Sequence, residues 1–265
     1  MTTFRSLHDP GEFLILPNAW DAGSARIIES VGASAIATSS AAVAWANGYS
    51  DGHFLPPHVL VRTIEAITRA IDVPLTVDSE GGYSSDPEIV GKNIFDFVSA
   101  GAVGINIEDS TESPDLLCAK IEAAKRAGDK AGVDLFVNAR VDVLLKKLVP
   151  REKAIDEILI RVPRYRDAGA DGIFIPLLSD PDEIQTVARA IDPLPLNVMA
   201  IPGLAPAAEL RRLGVRRLSA GASIGRAAIS LTVQLATGFL ADGQSDAVYQ
   251  HITDKTDMNA LFKRA

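Results

Sequence analysis

Short apolar runs alternate with longer amphipathic stretches along most of the chain, and this alternation predicts a repeated strand and helix unit. Eight runs read as strands: FLIL (13–16), SAIAT (34–38), PLTV (74–77), VGINI (103–107), DLFV (134–137), GIFI (172–175), LPLNV (194–198) and RRLS (216–219). Two of the intervening helix starts carry explicit chemistry, Asp86-Pro87-Glu88 and Asp180-Pro181-Asp182-Glu183. In each, the Asp can cap, the Pro suits the first turn and the Glu complements the helix dipole. An internal echo supports the same unit, because VGASAIA (31–37), AGAVGIN (100–106) and AGADGIF (168–174) share one pattern, with starts 69 and 68 residues apart. Each copy follows an amphipathic stretch and leads into an apolar run, so its Gly-Ala reads as a helix C-cap and tight turn.

One strand plus one helix then takes about 34 residues, and about eight such units fill the chain, which predicts an α/β fold: a single (β/α)8 barrel of the TIM type over residues 1–265. A doubly wound open sheet has the same local pattern and stays open on periodicity alone. The last predicted helix, 223–241, precedes a segment from Asp246 to Lys263 that eight units do not need. The C-terminal extension, 242–265, is therefore expected to pack on the barrel or on a partner subunit.

Composition narrows the function class. With 265 residues, 47% of them hydrophobic, the chain can bury one large core. A net charge of −8 disfavours nucleic acid and anionic membrane as partners, since neither offers a counter-charge, and leaves a small molecule as the expected ligand. Uninterrupted apolar runs fall well short of the roughly 20 residues that span a bilayer and MTTFRSLHDPGEF has no leader-like core, so a soluble, cytoplasmic protein is expected. Cys118 is the single cysteine, which excludes an internal disulfide and a cysteine-based metal set.

In such a barrel the chemistry gathers where the strands end at their C-terminal side. The residues there are Asn18 and Asp21; Thr38, Ser39 and Ser40; Asp78 and Glu80; Glu108 and Asp109; Asn138, Arg140 and Asp142; and Asn197. Asp78 and Glu80, two apart, are expected to project from one strand toward the barrel axis, with Glu108 on the next strand. Carboxylates about 5 Å apart repel by roughly 3 kcal/mol at an effective dielectric near 20, so the group calls for a cation or protons. Oxygen ligands without nearby His or Cys suit Mg2+ or Mn2+. The plainer alternative is a set of solvated loop acids capping the next helix.

VDSEGGYS (77–84) resembles the D-x-D-x-G-[YF] metal motif of the isocitrate lyase and phosphoenolpyruvate mutase superfamily. LPNAWDAGSARIIESVGASAIATSSAAVA (16–44), GINIEDS (104–110), NARVD (138–142) and LNVMA (196–200) resemble further segments of that superfamily, most closely its smaller members that use α-keto acids. The resemblance implies that Asp78 binds the metal directly, with Glu80 and Glu108 reaching it directly or through water. It implies that Ser39, Ser40 and Ala41 hold a substrate carboxylate or phosphonate, that Asp51 is the acid after that turn, and that Arg140 grips substrate and stabilises an enolate. Asn197, at the end of the seventh predicted strand, joins the expected substrate-binding set. It also implies an eighth helix swapped between paired subunits, giving a homodimer or homotetramer. Two catalytic parts of the superfamily are missing: the K-K-C-G-H loop of the isocitrate lyases is replaced by STESPDLLCAKIEAA (110–124), and Pro176 stands where phosphonopyruvate-handling members carry His. Glu112 is then the preferred loop acid, and Cys118 reads as a packing residue.

The expected activity is Mg2+-dependent cleavage or decarboxylation of a small α-keto or 2-hydroxy dicarboxylic acid through an enolate. The alternatives are C–P chemistry on phosphonopyruvate or phosphoenolpyruvate, and a keto-acid-binding protein with little turnover.

Overall fold

The structure is a computed structural model that describes residues 3–252 and 256–263. Its strands are β1 (Leu14–Leu16), β2 (Asn18–Ala19), β3 (Ile36–Thr38), β4 (Leu75–Asp78), β5 (Gly104–Glu108), β6 (Phe136–Arg140), β7 (Gly172–Phe174), β8 (Leu196–Met199) and β9 (Val215–Ser219). They form one sheet in the order β1-β9-β8-β7-β6-β5-β4-β3-β2, and every pair is parallel. Pro17 divides β1 from β2, since proline has no N–H for the ladder. Its carbonyl still accepts from Ala37 N at 3.1 Å. The two halves of this first strand face opposite neighbours, β1 pairing with β9 and β2 with β3, which closes the sheet on itself. The nine strands thus fill eight positions, and the fold is the predicted TIM-type barrel rather than an open sheet.

Helices cover the outside: α1 (Ala22–Ser30), α2 (Ser40–Ala46), α3 (Pro57–Ala70), α4 (Pro87–Ser99), α5 (Pro114–Ala131), α6 (Ala154–Asp167), α7 (Pro181–Ile191), α8 (Ala207–Arg212), α9 (Ser223–Asp242), α10 (Asp246–Tyr249) and α11 (Met258–Phe262). The predicted caps are formed: Asp86 accepts from Glu88 N, and Asp180 accepts from both Asp182 N and Glu183 N. The Gly-Ala echo has one physical meaning in all three places. Gly32, Gly101 and Gly169 adopt φ near +100°, and the two N–H groups of each Gly-Ala return to the preceding turn as in a Schellman motif, Gly101 N to Val98 O and Ala102 N to Phe97 O for example.

Alternation along each strand separates two interiors. Outward positions such as Ile36, Val77, Ile105, Val137 and Ile173 are buried beneath helix residues including Ile64, Ile94 and Ile121. Each such side chain contributes about 1.5–3 kcal/mol of burial. Inward positions toward the N-terminal end, Leu14, Leu16, Ala35, Ala37 and Phe136, are closed from below by Phe4. Inward positions toward the other end are polar, and they make the site.

Helix α9 departs from the rest, because nearly all of its length is exposed, including Leu240 at 84% and Val233 at 60%. It is 20 residues long with a hydropathy of 1.3, so by length and composition it meets the membrane-span requirement that the sequence reading found nowhere. Ser, Thr, Gln and Gly scattered through it masked the signal. Within the extension, α11 returns to the barrel, where Leu261 O accepts from Arg26 Nε at 2.9 Å. Residues 253–255 and 264–265 of that extension lie outside the described residues.

Candidate active site

At the C-terminal mouth of the barrel a cavity of about 160 Å³ is lined on its polar side by Asn18, Ser39, Ser40, Ala41, Asp51, Asp78, Asn106, Arg140 and Ser219. Leu145, Phe174, Pro176 and Met199 form its apolar wall. Ser39, Ser40, Ala41, Asp51, Asp78 and Arg140, all singled out from sequence, therefore meet in one place. The mouth gathers them because β2, β3, β4, β5 and β6 all end there, and a parallel barrel presents every strand end at one face.

Asp78 ends β4. Its Oδ2 accepts from Ser40 N at 3.2 Å, which ties the metal-motif strand to the start of α2. Ser39 caps α2 by accepting from Ala42 N. Asp78 Oδ1 is buried with no hydrogen-bond partner among the described residues. A buried orphan carboxylate oxygen calls for a cation or a water.

Arg140 ends β6 and is fixed on two sides. Its Nη1 lies 2.7 Å from Glu108 Oε2, and its Nε and Nη2 donate to the two carboxylate oxygens of Asp142 at 2.7 and 3.1 Å. Its guanidinium lies over the Phe174 ring, 5.9 Å from the centroid. Asp142 is anchored in turn, its N–H donating to Asp109 Oδ1, while Asp109 Oδ2 accepts from Arg161 Nη1 and Tyr165 Oη. The buried carboxylates bracing Arg140 hold its charged form well above the ordinary arginine value against the opposing effect of burial.

Glu80 corrects the sequence expectation. Strand β4 ends at Asp78, and Glu80 sits in the following turn at φ +50°, so the two acids do not project side by side from a strand. The Glu80 carboxylate turns away from the cavity and accepts from His53 N, while His53 Nε2 accepts from Gly81 N at 2.8 Å. His53, far from the metal motif in sequence, is carried to this turn by the loop after α2. Burial pushes the Glu80 carboxyl up to about 7. Burial likewise pushes Glu108 up to about 8, with Asp142, Asp78 and Glu80 adding to the shift and Arg140 opposing it.

Two other expected site residues stand back from the cavity. Asn197 is buried, its Nδ2 donating to Val198 O, Arg217 O and Ser219 Oγ and its Oδ1 accepting from Asn138, so it braces the barrel wall instead of facing substrate. Glu112 accepts from Lys120 Nζ at 2.5 Å on the loop before α5 and does not line the cavity. Lys120, only 1% exposed, was missed, although a lysine within the apolar stripe of Leu117, Ile121 and Ala124 was the available signal. Cys118 packs against α6, with Sγ 3.6 Å from Arg164 O.

The donor set fits a hard divalent ion held by few protein oxygens. Asp78 offers an unpartnered carboxylate oxygen, and Glu80 and Glu108 are raised chiefly by burial and further by the neighbouring acids, Asp78 among them. Among the described residues no three His, Cys, Asp or Glu side chains form a ready-made metal cluster. That pattern suits one direct carboxylate with water completing the shell, the usual Mg2+ arrangement.

The chain has clear relatives. The family model for phosphoenolpyruvate phosphomutase matches residues 4–240. An uncharacterized protein of Mycobacterium tuberculosis is 38% identical over 224 residues, covering 83% of this chain and 81% of the relative. A solved protein from Burkholderia cenocepacia J2315, provisionally named a phosphonomutase, is 43% identical with a TM-score of 0.83, covering 88% of this chain and 97% of that one. The oxaloacetate decarboxylase of Pseudomonas entomophila is 27% identical over 241 residues, covering 86% of this chain and 81% of the relative. Barrel, motif order and these matches agree: the chain belongs to the phosphoenolpyruvate phosphomutase family, within the superfamily that also holds isocitrate lyase.

Proposed function

We propose that the protein is a divalent-metal-dependent enzyme that cleaves or decarboxylates a small α-keto or 2-hydroxy dicarboxylic acid through an enolate. The observation that carries this reading is the buried, unpartnered Oδ1 of Asp78 in the same small cavity as Arg140 and the Ser39 to Ala41 turn. A divalent ion would be held directly by Asp78, with Glu108 and the more distant Glu80 reaching it through water, and would supply Lewis-acid charge.

The chain's own residues do the rest. The Ser39 hydroxyl and the Ala41 N–H at the start of α2 receive a substrate carboxylate, since Ser40 N is already given to Asp78. Arg140, held flat by Asp142 and Glu108, faces the oxygen on which enolate charge grows and needs no reorganisation to stabilise it. Asp51 lies at the cavity edge next to the turn. The cavity has room for about five waters at roughly 30 Å³ each, which suits an acid of three to five carbons.

Its apolar wall favours decarboxylation over C–P chemistry. A carboxylate leaving as CO2 loses its charge in the transition state, so a dry wall penalises the ground state more. A phosphonyl group keeps its charge and wants cations, whereas Pro176, Leu145, Phe174 and Met199 offer none. A relative named oxaloacetate decarboxylase fits this preference, while the family model and the solved Burkholderia relative carry phosphomutase and phosphonomutase names and keep the C–P alternative in the test.

The test is to incubate pure protein and Mg2+ with oxaloacetate, 2-methylisocitrate and phosphonopyruvate, following pyruvate against a metal-only control. Pyruvate from oxaloacetate above the control supports the reading. Pyruvate from phosphonopyruvate alone replaces it with C–P cleavage, and binding without turnover of any of the three makes the protein a keto-acid binder.

A further inference from the structure

Arg217 is the largest fully buried side chain among the described residues, 1% exposed, and nothing in the sequence pattern of metal and substrate residues points to it. It lies on the inward face of β9, two residues before the cavity-lining Ser219. Its side chain crosses the lumen: Nη2 donates at 3.1 Å to Oδ1 of Asn106 on β5, on the far side of the barrel, and Asn106 itself lines the cavity. The guanidinium therefore sits on the barrel axis directly beneath the cavity floor. Its Nε and Nη1 have no hydrogen-bond partner among the described residues. The charged group acting on it is Asp78, and burial lowers its own value to about 9.

A guanidinium without a paired carboxylate is heavily penalised when buried, and an apolar residue would fill the space at less cost. Charge at the mouth supplies a reason for keeping it. Asp51 and Asp78 line a cavity in which Arg140 is the one lining cation among the described residues, and Arg140 is already engaged by Glu108 and Asp142. Two carboxylates beside one engaged arginine repel the anionic substrate the cavity is meant to hold.

We propose that Arg217 is a positioning residue, a fixed cation beneath the floor that draws anions into the cavity and acts through Asn106 and Asp78 without touching substrate. The inference rests on the functional reading above, in which Asp78 holds a divalent ion and the cavity holds a small carboxylate. Its consequence is a pair of opposite effects. Buried positive charge favours an anion in the cavity and opposes a second cation at Asp78, and at this depth salt screens neither. A merely structural role would weaken both ligands together.

Calorimetry on wild type, Arg217→Met and Arg217→Lys tests this, with Mg2+ titrated into metal-free protein and oxalate, a planar two-carbon dicarboxylate, titrated into Mg2+-saturated protein. Arg217→Met is expected to bind Mg2+ more tightly and oxalate more weakly, each by about tenfold, while Arg217→Lys keeps both within about threefold of wild type. Should Arg217→Met not fold, Arg217→Gln carries the same comparison, since it keeps a donor for Asn106 and drops the charge. Any outcome other than this opposed pair, with wild type binding both ligands, overturns the role of Arg217 and leaves the functional reading standing. A wild type that binds neither ligand overturns both.

Discussion

Without metal, the protein is expected to lose stability as pH rises from about 7 to 8.5, and the loss comes from two named carboxyls. Burial pushes Glu80 up to about 7 and Glu108 up to about 8, whereas in the unfolded chain both ionise near 4.3. A raised folded value means that the native state holds protons the unfolded state has already released. The stabilisation is therefore complete below about pH 4 and disappears as pH rises through 7 and then 8. Integrating both titrations over this window gives a loss on the order of 1–2 kcal/mol, with Glu108 supplying most of it. His8 and His53 act in the opposite sense, because burial lowers both, His8 to about 3. Their contribution is gained mainly below about pH 7, where unfolded histidine still binds protons, so it barely offsets the loss above that value. Urea unfolding at several pH values, in EDTA and in saturating Mg2+, reads the effect directly. Mg2+ replaces the protons as counter-charge, so its stabilisation should grow over the same range. Glu108→Gln should flatten the slope in EDTA. Metal-free stability that stays constant or rises from pH 7 to 8.5 would refute the reasoning.

Asp78→Ala should abolish the thermal shift produced by Mg2+, because it removes a buried, unpartnered carboxylate oxygen of the cavity; an undiminished shift would move the metal elsewhere. Arg140→Ala should lower oxaloacetate turnover by about 10²–10³, as loss of one charge-stabilising donor does, and steady-state kinetics will read it. By the same assay Glu112→Gln should reduce turnover only partly and Cys118→Ser very little, and a dead Cys118→Ser protein that still binds keto acid would restore a cysteine acid. The exposed apolar residues of α9, among them Val233, Phe239 and Leu240, are expected to be covered by a second copy of the chain. Deletion after Ala241 should then reduce the mass seen in light scattering, while a monomeric full-length protein would sink that expectation.

The order of the elements was legible because the chain states it locally. Strand runs, Asp-Pro starts and Gly-Ala stops are each decided by a few neighbouring residues, and together they determined eight strand positions and the face on which chemistry had to lie. Asp78, Arg140 and the Ser39 turn followed, because a residue that ends a barrel strand can hardly avoid the mouth. Closure could not be read in the same way: that Pro17 splits one strand between two neighbours depends on β9, about two hundred residues away. The fate of Glu80 was hidden in a positive φ and in a histidine from another loop. Asn197 was settled by a partner 59 residues away in sequence, and Glu112 and Lys120 by each other, eight residues apart across the start of α5. Arg217 shows the difference most plainly. In sequence it is one of two arginines in a short strand; its position on the barrel axis exists only once eight strands have closed around it, because pleat and closure together decide which side chains share the lumen.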